Sequence, residues 1–195
     1  DFEIPAMMKR AWAAELEVLS VIADVCERYH LQYFADYGTL LGAVRHKGFI
    51  PWDDDIDICM LREDYMELIR VLPEELPQGF CMAGMYAGEK RLQMAAYVPH
   101  LRVMADERMW NINTYMQRFH GFPYQRIGID IFPMDYVPRD PELSRLQKKI
   151  VETGIALLRD WEQLQNENLL EDKIKVFGEL CGIQIAPDAD RQNEI

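Results

Sequence analysis

Tyr37-Gly38-Thr39-Leu40-Leu41-Gly42 and, shortly after it, Trp52-Asp53-Asp54-Asp55-Ile56-Asp57-Ile58 decide how this chain is read. A strand turns successive side chains to opposite faces, so Asp55 and Asp57 share one face while Ile56 and Ile58 share the other. Two carboxylates this close repel unless a divalent cation lies between them or one keeps its proton. The cation is the simpler reading, and hard oxygen ligands suit Mg²⁺ or Mn²⁺. An EF-hand loop would spread its acids along the chain around a central glycine, and Ile56 and Ile58 interrupt that pattern.

Outward from this stretch, apolar residues at Met8, Trp12, Leu16, Leu19, Ile22, Cys26 and Tyr29 recur in steps of three and four, predicting an amphipathic helix over 6–29. A short strand is expected over 31–35. The turn at Asp36-Tyr37-Gly38 then leads into a helix over 39–45, with Thr39 as its cap and Lys47-Gly48 as its end. A strand over 56–60 follows, then a helix over 63–71 stopped by Pro73 and Pro77. Residues 80–106 read as two or three antiparallel strands, clearest at 97–105. A third alternating segment, Ile127-Gly128-Ile129-Asp130-Ile131-Phe132, carries one acid in an apolar run.

Residues 107–126, with Trp110, Tyr115, Phe119, Phe122 and Tyr124, lack a clear period and read as a loop near the site, able to stack on a base or sugar. Beyond Pro138, Asp140 as N-cap and Pro141 in the first turn open a helical stretch with a break near 166–168, running to Cys181. The last ten residues read as frayed. The fold class expected is α/β (α+β): a small mixed sheet flanked by helices, with residues 1–138 as core and 139–195 as a helical extension of the same domain.

Composition narrows the function. The chain has 195 residues and a formal net charge of −12, whereas a nucleic-acid binder needs a basic stripe. No apolar run reaches the ~20 residues of a transmembrane helix, and no signal-peptide pattern is visible. Cys26, Cys59, Cys81 and Cys181 form no short-spaced pair, which predicts no structural zinc, and Cys26 and Cys59, among apolar neighbours, read as buried free thiols in a reducing, cytoplasmic setting.

A Gly-Thr turn, an Asp-x-Asp strand and a third acid on a later strand meet the needs of metal-assisted phosphoryl transfer. Gly38 and Thr39 would approach a phosphate closely at a helix N-terminus. Asp55 and Asp57 would hold the ion, and Asp130 would complete the cage and accept the proton of the attacking hydroxyl. Arg45, His46 and Lys47 form the compact basic cluster nearby, so Arg45 or Lys47 is expected on donor phosphate. Trp52 is a candidate to stack on a base or a quaternary ammonium. Asp36 is expected to bond its local backbone, and Asp135 to support the site or cap the next turn. His46, His100 and His120 share no spacing that marks a catalytic base.

The stretch from Tyr37 to Ile58 closely resembles the LicD family, which includes bacterial phosphocholine transferases and fukutin-related enzymes, and Gly128-Ile129-Asp130-Ile131-Phe132-Pro133-Met134-Asp135 resembles that family's second signature. The resemblance spans roughly residues 30–138. It implies a nucleotidyltransferase-type fold and transfer of a phosphorylated small alcohol, such as phosphocholine or ribitol phosphate, from a CDP-activated donor to a sugar hydroxyl of a glycan or glycolipid. By position it assigns Asp55 and Asp57 as metal ligands, Asp130 as third carboxylate, and Gly38 with Thr39 as the phosphate-side turn. The family's Tyr- and Gly-rich closing segment has no counterpart here, and the missing cysteine pairs place the chain nearer the bacterial branch than the fukutin-related one. Two other readings remain: transfer of a whole nucleotide on the same fold, and a non-catalytic scaffold that binds metal or nucleotide.

Overall fold

The computed structural model describes residues 3–84, 100–105 and 127–185. The aromatic segment 107–126, the start of the strand expected at 97, and the last ten residues lie outside the described residues. Within them the chain divides into two compact units, 1–135 and 136–195.

The first unit opens with helix α1, Ala6–Tyr29, closed by His30 in the left-handed conformation. Its buried stripe is Met8, Ala11, Ala14, Glu15, Val18, Ile22, Val25 and Cys26. This corrects the expected face: Leu16 is 50% and Tyr29 36% exposed. Small Ala11 and Ala14 let the helix approach its neighbours closely, which rotates the buried face onto Glu15 and away from Leu16. Strand β1, Phe34–Ala35, is only two residues long. Helix α2, Tyr37–Arg45, starts earlier than expected, because Asp36 and not Thr39 caps it, accepting from the Tyr37 N–H at 2.9 Å.

Strand β2, Asp57–Leu61, leads directly into helix α3, Arg62–Glu75. Pro73 does not stop α3 as expected. It lies near the C-terminal end of the helix, which closes beyond it through Leu76 N–H to the Leu72 carbonyl, 2.9 Å. Strands β3, Phe80–Ala83, β4, Leu101–Ala105, and β5, Gly128–Met134, complete a five-stranded mixed sheet of order β1-β2-β5-β4-β3. Among the described strands only β2 and β5 run parallel; the other neighbours are antiparallel. The α/β class with a mixed sheet is therefore as expected.

The core lies between the sheet and helices α1 and α3. Ile58 and Met60 of β2, Ile129 and Ile131 of β5, and Leu101 and Val103 of β4 meet Val18, Ile22, Tyr65, Leu68 and Leu72. Each of the six strand residues is nearly fully buried, contributing about 1.5–3 kcal/mol through the hydrophobic effect. Tyr65 places its one polar atom usefully, accepting from the Leu101 N–H at 2.8 Å.

The second unit consists of helices α4, Pro141–Arg159, α5, Trp161–Asn166, and α6, Leu170–Cys181. Asp140 caps α4 by accepting from the N–H groups of Glu142 and Leu143, with Pro141 in the first turn as expected. Leu157, Leu170, Ile174 and Phe177 form its small core. Among the described residues no helix is long and apolar enough to cross a membrane.

Candidate functional site

The site forms where β2 and β5 begin. Being parallel neighbours, they enter the sheet from the same side, and their register sets Asp57 beside Asp130. The Asp130 N–H donates to the Ile56 carbonyl at 3.2 Å, tying the acidic loop before β2 to the start of β5. On the other side of β2, the Asp36 N–H donates to the Asp57 carbonyl at 3.0 Å, and the Asp57 N–H donates to Thr39 Oγ1 at 2.8 Å. Thr39 therefore fastens α2 to the strand that carries Asp57.

Gly38 is required by the same closeness. A Cβ there would strike the Asp53 carboxylate well inside van der Waals contact, so the Asp53 side chain keeps this place against the turn only while position 38 lacks one. Asp53 is held from α1 as well: Trp12 Nε1 donates to its carbonyl at 2.7 Å, and the Trp12 ring stacks on Phe49 with centroids 4.7 Å apart.

Charge accumulates where these elements meet. Burial, then the neighbouring Asp55 and Asp130 carboxylates, push Asp57 up to about 7. Asp55 presents an edge to solvent, yet enough protein surrounds it that burial comes first among its causes, followed by Asp53 and Asp54; its pKa is pushed up to about 6. Asp53 is raised by burial and by Asp54. Asp130 goes the other way. Burial is its largest single influence and would raise it, but His100 and Arg102 together outweigh burial and hold it below the usual carboxylate range. Arg102 Nη1 donates to both Asp130 oxygens at 2.8 and 2.7 Å. His100 Nε2 lies 3.1 Å from Oδ1 without an in-line hydrogen bond.

The remaining candidates sit around this cluster. Arg45 and Lys47 are exposed; Arg45 Nε donates to His46 Nδ1 at 3.2 Å, and Lys47 Nζ to the Val44 carbonyl at 3.1 Å. Trp52 is 59% exposed, edge-on to the His46 ring. Asp135 pairs with Arg62, whose Nε donates to it at 2.8 Å, so it joins the end of β5 to the start of α3. His120 lies outside the described residues.

Sequence reasoning missed Arg102, His100, Trp12 and Glu15. Arg102 faces Asp130 only through the β4–β5 register, which local periodicity does not encode. A charged residue in the apolar stripe of α1 was the available signal for Glu15.

The donor set, clustered carboxylates with oxygen ligands throughout, is of the kind that fits a hard divalent cation. Among the described residues no three His, Cys, Asp or Glu side chains converge into a complete metal cage.

Residues 30–141 match the family model described as LicD/FKTN/FKRP, nucleotidyltransferase domain. The lipopolysaccharide cholinephosphotransferase LicD of Haemophilus influenzae is 35% identical over 128 residues, which cover 66% of this chain and 44% of that protein. The ribitol 5-phosphate transferase FKRP of Homo sapiens is 40% identical over 48 residues, 25% of this chain and 10% of that protein. The uncharacterized protein RP689 of Rickettsia prowazekii is 40% identical over 60 residues, 31% of this chain and 23% of that protein. The chain thus spans less than half the length of each of these curated relatives.

Proposed function

The chain belongs to the LicD/FKTN/FKRP nucleotidyltransferase-domain family, and from that premise we propose that it is a metal-dependent phosphotransferase that moves a phosphoryl-alcohol group, phosphocholine or a close analogue, from a CDP-activated donor to a sugar hydroxyl of a glycan or glycolipid. The observation that carries the reading is the juxtaposition of Asp57 with Asp130 across β2 and β5, behind a turn that leaves α2's N-terminal end close by. Two relatives whose names differ in the alcohol, cholinephosphotransferase and ribitol 5-phosphate transferase, share transfer of a phosphorylated alcohol.

In this reading Asp55 and Asp57 hold Mg²⁺ or Mn²⁺, with Asp130 as the adjoining third carboxylate. The bound cation supplies neutralisation of the diphosphate charge. Asp130, ionised and fixed by Arg102, keeps the second strand's carboxylate in place without reorganisation. Gly38 and Thr39 set the turn against which the donor phosphate lies, Arg45 or Lys47 meets phosphate oxygens from the exposed end of α2, and Trp52 offers an aromatic face to the base or the quaternary ammonium. The acceptor oxygen forms a bond to the β-phosphorus, the bond from that phosphorus to the bridging oxygen breaks, and CMP leaves with the electron pair. The hydroxyl proton passes to a carboxylate of the cluster.

Incubation with Mn²⁺ and a panel of CDP-alcohols and nucleoside triphosphates, with and without Asp57→Ala, tests this. CMP release lost in the variant supports the proposal. Pyrophosphate release would assign whole-nucleotide transfer instead, and intact donors in the presence of both metal and a glycan acceptor would favour a binding scaffold.

A further inference from the structure

Glu15 is the one buried polar or charged side chain among the described residues, with 0% exposure, and neither carboxyl oxygen has a hydrogen-bond partner. Buried polar atoms in native folds find partners, and a lone buried carboxylate is strongly disfavoured. Burial raises its pKa well above the ordinary value; Asp54, Asp55 and Asp53 raise it further, while Arg102 opposes them. The charges that act on Glu15 are thus those of the acidic loop and of the guanidinium that holds Asp130. One helical turn earlier, Trp12 grips the Asp53 carbonyl. The same edge of α1 therefore fastens the acidic loop and, one turn on, carries a fully buried carboxyl. Glu15 also lies upstream of the family-matched segment 30–141.

We propose that Glu15 is a positioning residue of the cation site, a buried α1 carboxylate that acts through the Asp53–Asp55 loop to strengthen its hold on a divalent cation. The inference rests on the metal-dependent reading above. A cation at the loop gives Glu15 an opposite charge that favours loss of its proton, and the carboxylate so formed adds its attraction to the hold on the ion. Glutamine would fill the same slot without that charge.

Mn²⁺ binding to the full chain, followed by electron paramagnetic resonance, tests it beside thermal unfolding in EDTA. Glu15→Gln is expected to unfold in EDTA at the wild-type temperature or above and to bind Mn²⁺ about 10-fold or more weakly, the loss typical of removing an outer partner of a metal site. Glu15→Asp, which keeps the charge, is expected to lie between them. Glu15→Leu is the second variant should the amide fail to fold, with the same weakening expected. Asp57→Asn is the control that removes a direct ligand. Wild-type Mn²⁺ affinity in a folded Glu15→Gln or Glu15→Leu protein, with binding lost in Asp57→Asn, overturns the role of Glu15 alone. Wild-type protein that binds no Mn²⁺ overturns the metal reading and this inference with it.

Discussion

Asp57 and Asp130 are register partners on adjacent parallel strands, yet their carboxyls are driven in opposite directions. Asp57 is pushed up to about 7 by burial and by its acidic neighbours. Asp130 is buried too, but Arg102 and His100 compensate it and keep it low. One carboxylate is balanced by the protein's own cations, and its partner is not.

Metal-free protein should therefore lose stability as pH rises. The unfolded chain releases the Asp57 proton near pH ~3.9, whereas the native state keeps it until about 7. Through that window the native state binds more protons, so its advantage is full below ~pH 4 and is lost as pH rises through the native value. Asp55 adds the same trend up to about 6. Thermal unfolding in EDTA is expected to show a midpoint that falls across this range, a flatter profile in Asp55→Asn/Asp57→Asn, and a larger Mn²⁺-induced rise at the alkaline end. An unchanged slope in the double variant would reject the account.

Arg102→Met should expose the opposite dependence. Asp130 and Arg102 are each less than one-fifth exposed at the side chain; breaking a fully buried pair costs about 3–5 kcal/mol, and this partly open one about 2 kcal/mol. Urea unfolding measures the loss. Asp130→Asn in the same background should recover part of it, since no buried charge is then left alone. Because the Asp130 pKa is lowered, its stabilisation exists above the unfolded value and disappears on acidification, so the gap between wild type and Arg102→Met narrows toward low pH.

The long elements were legible because their signals are local. Apolar steps of three and four placed α1 at its observed bounds, and the Asp140-Pro141 pair marked the start of α4. Alternation in β2 and β5 likewise marked the strands that carry Asp57 and Asp130. What escaped depends on contacts far apart in sequence. Thr39 looked like a helix cap, but its hydroxyl serves the Asp57 backbone, leaving Asp36 to cap the helix. Arg102 meets Asp130 only after β4 has paired with β5. Glu15 lies on the apolar stripe of α1, but its burial without a partner is set by the packing of that helix and not by local pattern.

Trp12→Phe isolates one such distant contact. Phenylalanine retains the stack on Phe49 but removes the Nε1–H donated to the Asp53 carbonyl. The expected loss is about 1 kcal/mol, a single partly buried hydrogen bond, read by urea unfolding. Mn²⁺ affinity should fall with it, because the acidic loop loses its fixed point on α1. A variant with wild-type stability and affinity would show that Phe49 packing alone positions the loop.

Gly38→Ala tests the closeness of the turn to the acids. The added methyl would collide with the Asp53 carboxylate and not with backbone, so the fold can yield by swinging one side chain, and the stability change should be modest, within about 1 kcal/mol. The functional change should be larger than the structural one. Displacing Asp53 disturbs the loop that presents Asp55, so Mn²⁺ affinity and donor turnover should both drop while the circular dichroism spectrum stays that of wild type. Pairing Gly38→Ala with Asp53→Ala decides the cause: with the carboxylate removed, the methyl meets no obstacle, and adding Gly38→Ala to Asp53→Ala should cost little further. Equal losses from Gly38→Ala in both backgrounds would place its effect in the backbone of α2 instead of in the contact with Asp53.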